Sequence, residues 1–213
     1  MLLSCLAVPA LSHPVCARNG SNVAVPSYGD KYSQFVKQLE AGQTNIDYIE
    51  FRQSFLASEQ FRAASEKQTD LSTLRQTMHQ LMRKSQYADI IAVTKKMLSI
   101  DYTDMEAHKI LQQTYKILGD TVNRNKYHDI EFGLLNSIVK KGDGTSCQTA
   151  WPVIQVTEEY FILDMLGAKL LKQSVDNTSG LCDRMEVQTN QGKRTFYFEI
   201  SKVMEGYKRQ GIN

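Results

Sequence analysis

The chain has 213 residues, 42% hydrophobic and 23% charged, with 25 Lys and Arg against 23 Asp and Glu. That length holds one or two small domains with a real core, and the composition is ordinary for a folded soluble protein. The net charge of +2 is carried by basic residues scattered singly or in pairs (Arg83-Lys84, Lys95-Lys96, Lys140-Lys141), which argues against nucleic acid as the main partner.

Residues 1–17 differ from the rest. Met1 to Leu11 is almost wholly apolar, and no charge occurs before Arg18. With Ala17 as cleavage site this reads as a secretory signal lacking the usual positive start, followed by a flexible leader over 18–27. The apolar run is too short for the ~20 residues that cross a bilayer. The expectation is therefore export, periplasmic or secreted, with no membrane span. The alternative is an apolar arm packed on the helices. Cys5 and Cys16 would leave with the signal, and Cys147 and Cys182 would remain. In an oxidising compartment these two are a candidate disulfide, worth ~3–4 kcal/mol for a loop of about 35 residues. Two buried thiols that never meet are the alternative.

From 28 to 141 the apolar spacing is helical. Tyr32, Phe35, Val36 and Leu39 share one face, closed by Ala41-Gly42, and Ile46 to Phe61 reads as a second, partly irregular helical segment. Asp70 is placed as the N-cap of a helix carrying Leu71, Leu74, Met78 and Leu81. Ser85-Gln86 is a turn before the stripe Tyr87, Ile90, Ile91, Thr94, Met97 and Leu98. Asp104 caps the next helix (Ala107, Ile110, Leu111, Tyr115, Leu118), Gly119-Asp120 closes it, and Tyr127 to Val139 forms a last long one. Loops this short imply antiparallel hairpins. Ser85-Gln86-Tyr87 and Gly119-Asp120-Thr121 stand 34 positions apart, the tetratricopeptide period, and Leu111, Tyr115 and Gly119 suit that repeat. Met78, Ile90, Gln112 and Arg124 stand where small residues belong. The reading is a degenerate tetratricopeptide-like pair of hairpins, against a generic bundle.

From 142 to 213 the pattern turns to strands. Trp151–Val156 reads as a strand, Thr157 as the N-cap of a helix with Glu158 and Glu159 in its first turn, and Gly167 as its end. Ala168–Val175 and the alternating Leu181, Met185 and Val187 are strands. A turn at Asn190-Gln191-Gly192-Lys193 leads into Arg194–Ile200, and Ser201 opens a short final helix. The fold class is α+β, a helical half followed by a small, mainly antiparallel sheet. The Gly142 connection is short enough to pack both halves as one unit.

Gly142-Asp143-Gly144-Thr145-Ser146, Thr149-Ala150, Val153-Ile154-Gln155-Val156 and Glu158-Glu159-Tyr160 resemble a family of exported bacterial proteins known only as a domain of unknown function. Leu166-Gly167, Gln173-Ser174 and Tyr197-Phe198 continue the likeness. Leu118-Gly119-Asp120 and Tyr127-His128 through Leu134-Leu135 extend it into the helical half. The resemblance covers roughly 30–205 and is most specific over 128–200. It implies export and this architecture, and no activity. Cys147 departs from the family pattern, which leaves the disulfide open.

No catalytic motif, cofactor or metal signature stands out. Cys147 with a histidine has no motif to place it as a nucleophile, and His128 with Glu131, even joined by His108, lacks a second local histidine. Asp143-Gly144 reads as turn chemistry rather than a calcium loop, and Glu158-Glu159 as helix-start electrostatics. Tyr87, Tyr115 and Tyr127 line a candidate partner groove between hairpins, or else pack in the core. The leading expectation is a non-enzymatic protein- or peptide-binding or scaffold module of the cell envelope. The alternatives are a small-ligand or envelope-stress accessory protein using the sheet, and a hydrolase-type site gathering Asp143, Glu159, His128 and Cys147.

Overall fold

The computed structural model describes residues 22–209. The expected signal at 1–17, with Cys5 and Cys16, lies outside the described residues, as do residues 18–21 of the leader. Of the leader's remainder, Val23 is buried and donates its amide to Glu40 at 3.2 Å.

α1 (Lys31–Glu40) starts at Asp30, whose carboxylate accepts the Ser33 amide, and buries Tyr32, Val36 and Leu39. The stretch expected as one irregular segment is two helices, α2 (Tyr48–Leu56) and α3 (Glu59–Glu66). Ser58 makes the break. Its hydroxyl accepts the Phe61 amide and donates to the Phe55 carbonyl, satisfying groups that both helix ends leave free. α4 (Gln68–Arg83) begins at Lys67, so Asp70 sits inside the first turn and does not cap it. There its charge still favours the helix dipole.

α4 pairs with α5 (Tyr87–Ile100), and α6 (Met105–Ile117) with α7 (Thr121–Val139). Asp104 and Asp120 cap α6 and α7 through the Ala107 and Asn123 amides. The two hairpin turns are built alike. Ser85 and Gly119, 34 positions apart, both take positive φ, 52° and 74°. The next residues, Gln86 and Asp120, return their amides to the Leu81 and Tyr115 carbonyls at 3.1 and 3.0 Å. This is the left-handed helix stop that glycine adopts without strain and serine only at a cost.

At the junction, Asp143 accepts from the Thr145 amide and hydroxyl and from the Thr149 hydroxyl. The Trp151 indole donates to the Gly142 carbonyl at 3.0 Å. A Cβ on Gly142 would meet the Thr149 carbonyl oxygen at 2.1 Å, so the turn requires glycine there. Cys147 and Cys182 are joined in a disulfide across 35 residues, with Cα atoms 5.9 Å apart. Replacing both by serine is expected to lower the unfolding free energy by about 3–4 kcal/mol in urea titrations, the loop-closure entropy regained by the denatured chain. An unchanged midpoint would refute that.

The sheet has the order β1-β4-β3-β2. β2 (Lys169–Asp176), β3 (Cys182–Thr189) and β4 (Gly192–Glu199) are antiparallel, while β1 (Trp151–Pro152) pairs parallel to β4. β1 is shorter than expected. After the Val153 amide bonds Glu199, the Ile154 amide turns away to the Glu158 carboxylate. α8 (Val156–Met165) is then entered through Gln155, so Thr157 is not its cap. α9 (Ser201–Arg209) returns the chain to the helices, with Gly206 lying on the Phe61 ring and Arg209 donating to the Leu56 carbonyl. One apolar cluster runs from Tyr32 and Phe51 through Leu111 and Ile130 to Met185 and Phe198. Among the described residues no helix is long and apolar enough to cross a membrane.

Candidate functional site: a cleft between α4, α6 and α8

The first helix of each pair turns one face away from the core, and the two faces meet α8 across a cleft of about 670 Å³. α4 contributes Arg75, His79 and Met82, and α6 contributes Glu106, Lys109, Ile110 and Gln113. Arg75 and Lys109 are 34 positions apart, as are His79 and Gln113. The cleft is thus lined by equivalent positions of two successive hairpins, as on the inner face of a stacked repeat.

Its charges are paired but unequal. Arg75 donates to Glu106 at 2.6 Å and also to Asp104, while His79 lies 3.3 Å from Glu106. Lys109 reaches Asp164 at 2.9 Å and sits over the Phe161 ring at 5.5 Å. Among the described residues Asp104, Glu106 and Asp164 face two permanent cations, Arg75 and Lys109, so the rim is acidic. Met105, Ile110 and Phe161 add apolar surface, and exposed Tyr160 stands beside them. Asp101, buried behind Thr103, is pushed up to about 6 by desolvation and then by Asp104, against hydrogen bonds from Thr103 and Gln155.

The cleft's α8 wall is fixed from beneath. Glu158 is buried and takes two hydrogen bonds from Arg52 of α2, at 2.8 and 2.6 Å. Arg52 also donates to the Pro152 carbonyl at 3.0 Å and the Ser137 hydroxyl at 3.3 Å, tying α2, α7, β1 and α8 together. Its neighbour Glu159 points the other way, into the sheet against Asp183. Burial first, then Asp183, raises the Glu159 carboxyl to about 9. Both glutamates stand in the first turn of α8, as expected, and both also serve tertiary contacts that the sequence does not show.

The candidate hydrolase residues do not converge. Cys147 is bonded to Cys182, Asp143 is held within its own turn, and Glu159 is buried at the sheet. His128 is half exposed on α7, 3.2 Å from Asp129 and stacked on Phe132. His108 does not join it. It is fully buried between Tyr102 and Tyr127, and desolvation pushes it down to about 4, hence neutral. Among the described residues no three His, Cys, Asp or Glu are grouped to hold a metal ion. Of the candidate groove tyrosines, Tyr115 and Tyr127 are buried and stacked 5.7 Å apart, and Tyr87 is partly buried against the core. The cleft runs elsewhere, along α4 and α6. The 34-residue period, applied to the polar faces as well as the apolar ones, would have located it.

These features define an α+β protein in which stacked helical pairs and a sheet-borne helix frame an open, acidic-rimmed cleft. Residues 26–209 match the sequence model of a family described as a domain of unknown function (DUF4919), and the chain belongs to that family. No curated protein and no solved structure matches it.

Proposed function

We propose that this is an exported, non-catalytic binding module of the cell envelope whose cleft takes a protein segment bearing a basic and an apolar side chain. The single observation that carries the reading is the pairing of repeat-equivalent positions along one acidic-rimmed cleft. Carboxylates on the rim favour Lys or Arg, and the buried Phe161 and Met105 offer contact to an adjacent apolar group. Export is supported by the disulfide, which persists in oxidising compartments. The cleft's volume also suits a small molecule, and that is the second reading.

A random peptide library screened against the folded full chain distinguishes them. The expected winners carry Lys or Arg beside an apolar residue. Asp164→Lys, at an exposed position, should weaken them about ten-fold at low salt and less at high salt. Winners without basic residues, or winners indifferent to Asp164→Lys, would defeat the peptide reading. Cationic small molecules that bind this cleft where no peptide does would support the second.

A further inference from the structure

The two edges of the sheet are treated differently. β1 is two residues long and ends in Pro152, so that edge offers almost nothing to pair with. β2 is eight residues long and has no proline. No backbone hydrogen bond outside its pairing with β3 involves its residues, among those described. An edge of this length is a template for another strand.

We propose that β2 pairs antiparallel with β2 of a second copy of this chain, joining two sheets into one eight-stranded sheet about a two-fold axis at Gln173. The sequence of β2 is self-complementary in that register. The pairing with β3 skips Leu171, a bulge between Leu170 and Lys172. Counting past the bulge, Lys169 faces Asp176 of the second copy, Leu170 faces Val175, and Lys172 faces Ser174. Every such pair lies on one face. Lys169, Lys172, Ser174 and Asp176 share the face of Arg184 and Glu186, while Leu170, Gln173 and Val175 share that of Met185 and Val187. Lysines that would repel a strand in most registers here meet an acid and a hydroxyl. Val175 and Leu171, 61% and 49% exposed, gain cover from the second copy. A two-fold arrangement is the common way for one surface to serve both partners.

The test uses the full chain in sedimentation velocity over a concentration series, with circular dichroism to verify folding. The wild type is expected to be a dimer. Lys169→Asp places two acids opposite each other, and Asp176→Lys places two lysines opposite each other, so each variant alone should dissociate at least ten-fold more readily. Mixed in equal amounts, the two should dimerise again, because each new charge then faces its opposite. Hydrogen exchange on the wild type, which needs no substitution, should show β2 amides gaining protection with concentration. A wild type that stays monomeric, variants that dimerise as well alone as mixed, or β2 amides whose exchange ignores concentration would each overturn the proposal.

Discussion

Arg52→Met is expected to lower the unfolding free energy by about 3–5 kcal/mol, as breaking a buried ion pair from one side does. Arg52 and Glu158 are 4% and 3% exposed, so methionine would leave a carboxylate in the interior with no cation. The Ile154 amide still donates to Glu158, but one amide does not replace a bidentate guanidinium. Two further bonds, to the Pro152 carbonyl and the Ser137 hydroxyl, are lost with it. Adding Glu158→Gln to this variant should recover about 1–2 kcal/mol, since a neutral amide is cheaper to bury than an unpaired carboxylate. Trp151 is the only tryptophan and lies in β1 beside this pair's carbonyl partner, so its fluorescence in urea reports the transition. A loss below about 1 kcal/mol for the single variant would mean water reaches Glu158 and the pair is not buried. Because Glu158 also borders the cleft, loosening α8 should weaken peptide binding in conditions where the variant remains folded.

How much of this was legible in the sequence follows from which signals are local. Helix spacing, the Asp104 cap and the glycine stops at 119 and 167 are set within one or two turns of chain, and they were readable. The failures are at contacts that join distant segments. Asp70 looked like a cap because an acidic residue at a cap and one in a first turn give similar patterns. β1 is shorter than the apolar run around it because the residues that follow, Val153 and Ile154, are buried in the common core without pairing as a strand. Arg52 gave a usable sign, since it lies in the apolar row Tyr48, Phe51, Arg52, Phe55, where a charge must have a partner. Naming Glu158 as that partner required the fold. The cleft has a different signature: the aromatic residues Tyr115 and Tyr127 mark the core, while the cleft is made by the polar sides of α4 and α6.

The second large effect concerns pH, and its sign follows from Glu159. In the unfolded chain this group has an ordinary value of 4.5, and in the fold burial and Asp183 raise it to about 9. The native state therefore keeps a proton that the unfolded chain gives up once pH exceeds 4.5. Its stabilising contribution is complete below the unfolded value, declines as pH rises, and is gone above about 9. The groups facing Glu159 offer no relief. Asp183 and Glu158 are acids, and Asp183 already accepts from Gln173 at 2.7 Å. Tyr207 on α9 is itself raised by burial, then by Glu159 and Asp183. Between about pH 5 and pH 9 the wild type should lose roughly 2–4 kcal/mol through this site, each pH unit in the window being worth at most ~1.4 kcal/mol. Glu159→Gln keeps the shape and a hydrogen-bond donor toward Asp183 but has no proton to lose. It should be less stable than or equal to the wild type at pH 5, more stable at pH 9, and nearly flat between. Asp183→Asn should give a weaker version of the same result by removing the second-largest cause of the shift. Parallel stability curves for wild type and Glu159→Gln would show that the carboxyl titrates normally, and that the sheet opens to water at α8.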